Sequence, residues 1–123
     1  MSIGIIIVDH GSRMAESNKL LERVAQAFAA QFRDRFGIVE PAHMEIAKPS
    51  IADAYAACVK RGATLIHVVP YFLGRGKHWS QDIPSLAAAA AADHPGTTFK
   101  VTDCIGFDEA MLHLLARRID EAG

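Results

Sequence analysis

The stretch Ile3-Gly4-Ile5-Ile6-Ile7-Val8-Asp9-His10-Gly11-Ser12-Arg13 decides the fold. From Ile3 to Val8 it is apolar without interruption and rich in isoleucine, the pattern of a parallel strand buried on both faces; a strand with one wet face would alternate. Polarity then switches on at Asp9, and a helical periodicity begins a few residues later. A strand passing through a short polar loop into a helix is the opening of a βαβ unit, so this strand belongs inside the sheet.

The same plan repeats along the chain. From about Ala15 to Arg35, the positions Leu20, Val24, Ala27, Phe28 and Phe32 recur at helical spacing, and Gly37 supplies a stop signal. Ile38 to Ile46 reads as a second strand, placed at an edge because Pro41 cannot donate to a ladder. Ser50 and Asp53, after Pro49, are spaced as a capping pair for a helix whose Ile51, Ala54, Tyr55 and Cys58 share one face and which Gly62 closes. Thr64 to Val69 is strand three. Asp82 as cap and Pro84 in the first turn open a third helix carrying the run Ala87 to Ala92, which His94-Pro95-Gly96 ends. Thr98 to Thr102 and Asp108 to about Glu121 are the last strand and helix. No shift of composition marks a linker. The reading is a single α/β domain over residues 1–123: a doubly wound, flavodoxin-like, four-stranded parallel sheet with helices on both faces and the order 2-1-3-4.

Half of the 123 residues are apolar, enough for a real core. Lysine and arginine total 13 against 14 for aspartate and glutamate, so nothing points to nucleic acid or an anionic membrane as partner, and anion recognition must be local. There is no basic stretch followed by a long apolar run and cleavage site, and no apolar run approaches the roughly 18 residues of a spanning helix; the expectation is a cytoplasmic protein. Cys58 and Cys104 lack metal-ligand spacing and are expected to be reduced thiols.

Open α/β folds build their sites where the strands end. That edge gathers His10 and Arg13 after strand one, Glu45 and Lys48 at the end of strand two, and Arg75, Lys77 and His78 after strand three. Two imidazoles and a carboxylate form a reasonable ligand set for iron, cobalt or nickel, and the basic residues could hold an acidic ligand. Spacing alone leaves the assignment open, since the ligands are far apart and no local signature such as His-Glu-x-x-His is present. A phosphate site on the first helix is the alternative for the opening loop, but Gly11 stands there without a glycine-rich cradle or a Walker lysine. His43, two residues before Glu45, is expected on the same side of the strand, as a neighbour of the ligands, an extra ligand, or edge packing. His67 reads as a core histidine, His94 and His113 as helix-end and helix-surface residues, Trp79 as a cleft wall or hydrophobic anchor, and Cys104 as a small buried residue.

Three segments carry a family resemblance: Val8-Asp9-His10-Gly11-Ser12-Arg13, then Met44-Glu45-Ile46-Ala47-Lys48-Pro49-Ser50-Ile51, then Pro70-Tyr71-Phe72-Leu73 leading through Gly76-Lys77-His78 to Asp82-Ile83-Pro84. In order and content they resemble the small sirohydrochlorin chelatases, of cobaltochelatase or ferrochelatase type, among the class II chelatases. The resemblance implies a lyase that inserts Co²⁺, Fe²⁺ or Ni²⁺ into sirohydrochlorin or a related acidic tetrapyrrole without ATP, the metal being a substrate and no cofactor being permanently bound. It implies His10, His78 and Glu45 as metal-site and catalytic residues, with Arg13, Lys48, Arg75 and Lys77 available for the substrate's carboxylates. It also implies a homodimer, each chain standing for one half of a double-length chelatase. Beyond Val101 the match weakens, because Cys104-Ile105-Gly106-Phe107-Asp108-Glu109 stands where members often carry Leu-Gly and then His-Pro. A metal or tetrapyrrole carrier would need the same residues without turnover.

Overall fold

The structure, a computed structural model, describes residues 2–77 and 79–123. Strands and helices alternate as β1 (Ile3–Asp9), α1 (Ala15–Gln31), β2 (Ile38–His43), α2 (Ile51–Lys60), β3 (Leu65–Pro70), α3 (Trp79–Ala92), β4 (Thr98–Val101) and α4 (Glu109–Ala122). The four strands form one parallel sheet in the order β2-β1-β3-β4, as the sequence predicts.

The uninterrupted apolar run explains the central place of β1. Gly4 through Val8 are all buried; Ile6 and Val8 pack towards α2 and α3 with Tyr55, Cys58, Ile66, Val68 and Ile83, while Ile5 and Ile7 pack towards α1 with Leu21, Ala25 and Val39. Two layers of core thus grip one strand, and all its carboxyl-end residues inherit a fixed position. Gly4 is required by close approach: a Cβ there would lie 2.9 Å from the Ala63 Cβ and 3.1 Å from the Cys58 Sγ. Burial beneath the same helix pushes the Cys58 thiol up to about 12, with Glu40 adding to the effect.

Local rules account for much of the rest. Ser50 and Asp53 form the expected capping box, each side chain accepting from the other's backbone amide at 3.1 Å. Asp108 caps α4 through the Ala110 amide. Three boundaries differ from the sequence reading by more than one residue. Helix α1 stops at Gln31 and continues only as turns to residue 35, and it buries Leu21 and Ala25, whereas Leu20 is 57% exposed. Two apolar stripes overlap on this helix, offset by one residue, and its entry loop chooses between them: the Asn18 side chain bonds the Ser12 amide and carbonyl and so sets the helix's rotation. Strand β2 ends at His43 instead of Ile46, because the chain turns at residues 44–49. Helix α3 starts at Trp79, which places Asp82 in its first turn and Pro84 inside the helix instead of at its opening. Trp79 anchors that start, stacking on Phe72 at 4.9 Å between ring centroids and donating from Nε1 to the Gly74 carbonyl.

No helix among the described residues is long and apolar enough to cross a membrane. Helix α4 is the exception to the packing: it is amphipathic yet buries none of its residues.

Candidate metal centre

At the carboxyl edge the β1 and β2 loops are joined by backbone. The Met44 amide donates to the Asp9 carbonyl at 2.8 Å, and the Glu45 amide to the His10 carbonyl at 3.1 Å. Gly11 makes this possible. Its φ of +93° lies in the left-handed region, and a Cβ there would collide with the Glu45 carbonyl oxygen. Ile46, next to Glu45, holds a φ of 74°, a conformation that costs a β-branched residue of order 1–3 kcal/mol and is tolerated where surrounding structure imposes it.

The result is a converging pair. His10 Nε2 lies 3.1 Å from Glu45 Oε1, and each side chain is 55% exposed. Two donor atoms bound at right angles to one ion, each at roughly 2.1 Å, are themselves about 3 Å apart, so this spacing suits two neighbouring ligands of a single cation. Both face solvent, which gives an ion a way in and a way out. No cluster of three or more His, Cys, Asp or Glu suited to a metal occurs among the described residues. His78, the other metal ligand expected from the sequence, lies outside the described residues.

Beneath the pair lies a buried one that the sequence reading missed. His43 does not share the exposure of Glu45: it is fully buried, and its Nδ1 donates to Asp9 Oδ1 at 2.6 Å. The strict alternation expected of a strand fails here because β2 ends at His43 and Glu45 sits on the following turn. The sequence carries no local signal for this contact, because its patterns end the first strand at Val8 and carry the second on to Ile46.

The basic residues are spread along the same edge. Arg13, Lys48, Arg75 and Lys77 are all exposed. Arg75 is already engaged: its Nε and Nη2 donate to the two carboxylate oxygens of Asp103 at 3.2 and 2.7 Å. These hydrogen bonds, helped by the Cys104 amide, hold the Asp103 carboxyl down at about 2. Arg75, Asp103 and Trp79 line an open cleft of about 370 Å³, and a second of about 300 Å³ runs between Met44, Glu45 and the α3 residues Asp82, Ser85 and Leu86. The larger is lined by neither His10 nor Glu45; the smaller is lined by Glu45 but not by His10. Of the other histidines, His67 is half-buried on β3 instead of deep in the core, and His94 stacks on Tyr55 at 5.6 Å.

The carboxyl edge of this doubly wound α/β domain thus carries an open imidazole–carboxylate pair and separate, exposed arginine and lysine side chains. The chain belongs to the CbiX family, which it matches over residues 4–122. It is 48% identical to the chloroplastic sirohydrochlorin ferrochelatase of Arabidopsis thaliana over 94% of this chain and 51% of that protein. With the sirohydrochlorin cobaltochelatase of Sulfolobus acidocaldarius it shares 29% identity over 98% of this chain and 92% of that one. Among solved structures, SirB from Bacillus subtilis with Fe³⁺ superposes with a TM-score of 0.90 at 29% identity, covering 100% of this chain and 48% of that one. The chain therefore spans about half the length of the plant relative and of SirB, and nearly all of the archaeal one.

Proposed function

We propose that this protein inserts a divalent metal ion, cobalt, iron or nickel, into sirohydrochlorin or a closely related acidic tetrapyrrole, without nucleotide hydrolysis. The observation that carries the reading is the exposed His10–Glu45 pair at 3.1 Å on the carboxyl edge, in a family whose relatives are named as iron and cobalt chelatases of this macrocycle. Insertion requires the ion to shed water, the macrocycle to present its nitrogen lone pairs, and two pyrrole protons to leave. In this reading His10, His78 and Glu45 exchange with water ligands and position the ion, and Glu45 or an imidazole accepts each of the two pyrrole protons in turn and passes it to solvent. A closed cage would trap the ion, whereas an open pair can release it. Arg13, Lys48, Arg75 and Lys77 meet the carboxylates of the rim, Arg75 by exchanging Asp103 for a substrate carboxylate of the same geometry. The test is anaerobic mixing of protein, sirohydrochlorin and Co²⁺ or Fe²⁺ with substrate in excess. Repeated turnover in the absorbance record supports an enzyme; a change that stops at one equivalent identifies a carrier and overturns the catalytic reading.

We further infer a homodimer in which this domain stands for one half of a double-length chelatase. Support comes from α4. An isolated helix of about this length is marginal in water, yet α4 buries nothing and leaves Leu112, Leu115 and Ile119 between 50% and 72% exposed. The α1 side of β3 and β4, where Leu65 and His67 are half-exposed and Thr98 and Lys100 exposed, has no covering helix among the described residues. A second copy can cover that face with its α4 and have its own covered in return, an exchange that needs no new surface. Light scattering checks this: a dimer is expected, converted to monomer by Leu115→Glu with Ile119→Glu, and a wild-type monomer in the presence of substrate overturns it.

A further inference from the structure

The buried pair beneath the site has no role in the chemistry just described, yet its construction is unusual for a core. His43 is the one buried residue among the histidines, lysines, arginines, aspartates and glutamates of the described chain. Burying an imidazole and most of a carboxylate costs solvation that an apolar pair of the same shape would not, so its place calls for a reason beyond packing. Asp9 and His43 are the last residues of β1 and β2 and are partners in the strand register. Each is followed by the backbone that bears the exposed site: His10 comes directly after Asp9, and Glu45 two residues after His43.

We propose that Asp9 and His43 are positioning residues that set the separation and orientation of His10 and Glu45. The 2.6 Å bond from His43 Nδ1 to Asp9 Oδ1 is directional, so it fixes how the two strand ends lie against each other where the regular ladder stops. Three backbone bonds carry that constraint outward: Met44 amide to Asp9 carbonyl, Glu45 amide to His10 carbonyl, and His43 amide to Pro49 carbonyl, the last closing the loop that holds Glu45. Gly11 completes the assembly, since a Cβ there would stand only 3.3 Å from the Cβ of His43. His43 Nε2 is buried without a hydrogen-bond partner among the described residues, and Glu22 Oε2 stands 3.9 Å away, too far for a hydrogen bond. The ring is thus held by the Asp9 bond at the strand end, and the exposed pair rides on it.

The inference rests on the reading of His10 and Glu45 as metal ligands, and the experiment separates the two. Co²⁺ serves as the probe, because the intensity of its visible absorption reports coordination geometry, and it is titrated into wild type, His10→Ala, His43→Leu, His43→Asn and Asp9→Ala. His43→Leu keeps an apolar side chain in the core and removes the directional bond. It is expected to weaken Co²⁺ binding about 10- to 100-fold and to change the spectrum, while far-ultraviolet circular dichroism stays native. Asp9→Ala, on the rim of the buried pair, is expected to do the same. His43→Asn, whose amide can donate from nearly the position of Nδ1, is expected to recover a substantial part of both signals. Wild-type affinity and spectrum in His43→Leu and Asp9→Ala, with loss in His10→Ala, overturn the positioning role alone. Wild-type behaviour in His10→Ala as well overturns the metal reading itself. Failure of His43→Asn to recover more than His43→Leu also overturns the role assigned to the bond.

Discussion

The two halves of the carboxyl edge are built in opposite ways. On the β1–β2 side the exposed His10–Glu45 pair stands on a buried foundation: a fully buried histidine, two backbone bonds between the loops and a third that closes the β2 loop, and a glycine that admits no side chain. On the β3–β4 side the Arg75–Asp103 pair is bidentate but stands in solvent, 74% and 61% exposed. The first construction suits ligands that must hold fixed distances from one ion. The second suits a cation that exchanges one carboxylate for another, because an exposed pair contributes little to stability and is easily parted.

The comparison is broken most severely at Gly11. Gly11→Ala combines a left-handed φ of +93° with a collision against the Glu45 carbonyl, and is expected to lower stability by at least about 2 kcal/mol and to abolish metallation. Urea unfolding with parallel assays checks it. Stability and activity within error of wild type would show that the loops can part and that the β1–β2 side is no more rigid than the other.

Next in size are the ligands. His10→Ala is expected to cut metallation more than about 100-fold, of the order seen when a group acting directly on the reaction is removed, while thermal unfolding remains cooperative because the side chain is half-exposed. Glu45→Gln is expected to lower turnover more than Co²⁺ affinity, since an amide still offers an oxygen but cannot take up a proton. Equal losses in both quantities would assign Glu45 to metal binding alone.

Smaller effects are expected on the open side. Arg75→Ala should raise KM for the acidic macrocycle about 3- to 10-fold, with the difference shrinking as salt screens the contact. Co²⁺ affinity should not move. A parallel loss of Co²⁺ affinity would show that the two halves are one coupled site.

The smallest expected effect concerns acid. Arg75 and the Cys104 amide hold the Asp103 carboxyl at about 2, against an ordinary 3.8. A depressed folded value means that the pair's contribution is complete above about 3.8 and is lost as pH falls through about 2. Because both groups are exposed, global stability should hardly register the change; carboxyl NMR should show it directly. A midpoint near 3.8 in wild type would mean that the ion pair does not form in solution, and Arg75→Gln should move the midpoint up towards that value, the Cys104 amide still holding it below.

What was legible in the sequence is whatever neighbouring residues encode. The six-residue run of β1 announced a strand buried on both faces, Pro41 placed β2 at an edge, and Ser50 with Asp53 formed the capping box that their spacing implies. His10 and Glu45 could be placed at one sheet edge because strand order follows from these local facts. Their 3.1 Å separation could not. It depends on Gly11 bringing two loops into contact and on Ile46 accepting a strained turn, and neither is visible until the strands are in register.

The sequence by itself determined the alternation of elements, the order of the sheet and the residue types gathered at its carboxyl edge, because strand and helix periodicities and end signals act within a few residues. Tertiary structure alone decided which stripe of α1 faces the sheet, that His43 is buried against Asp9 although 34 residues separate them, and that Arg75 meets Asp103 across 28 residues. Such pairings have no local energy to announce them: they exist only once the core fixes where each strand ends, and there the cost of burying or pairing a charge is settled by whatever the neighbouring strand presents.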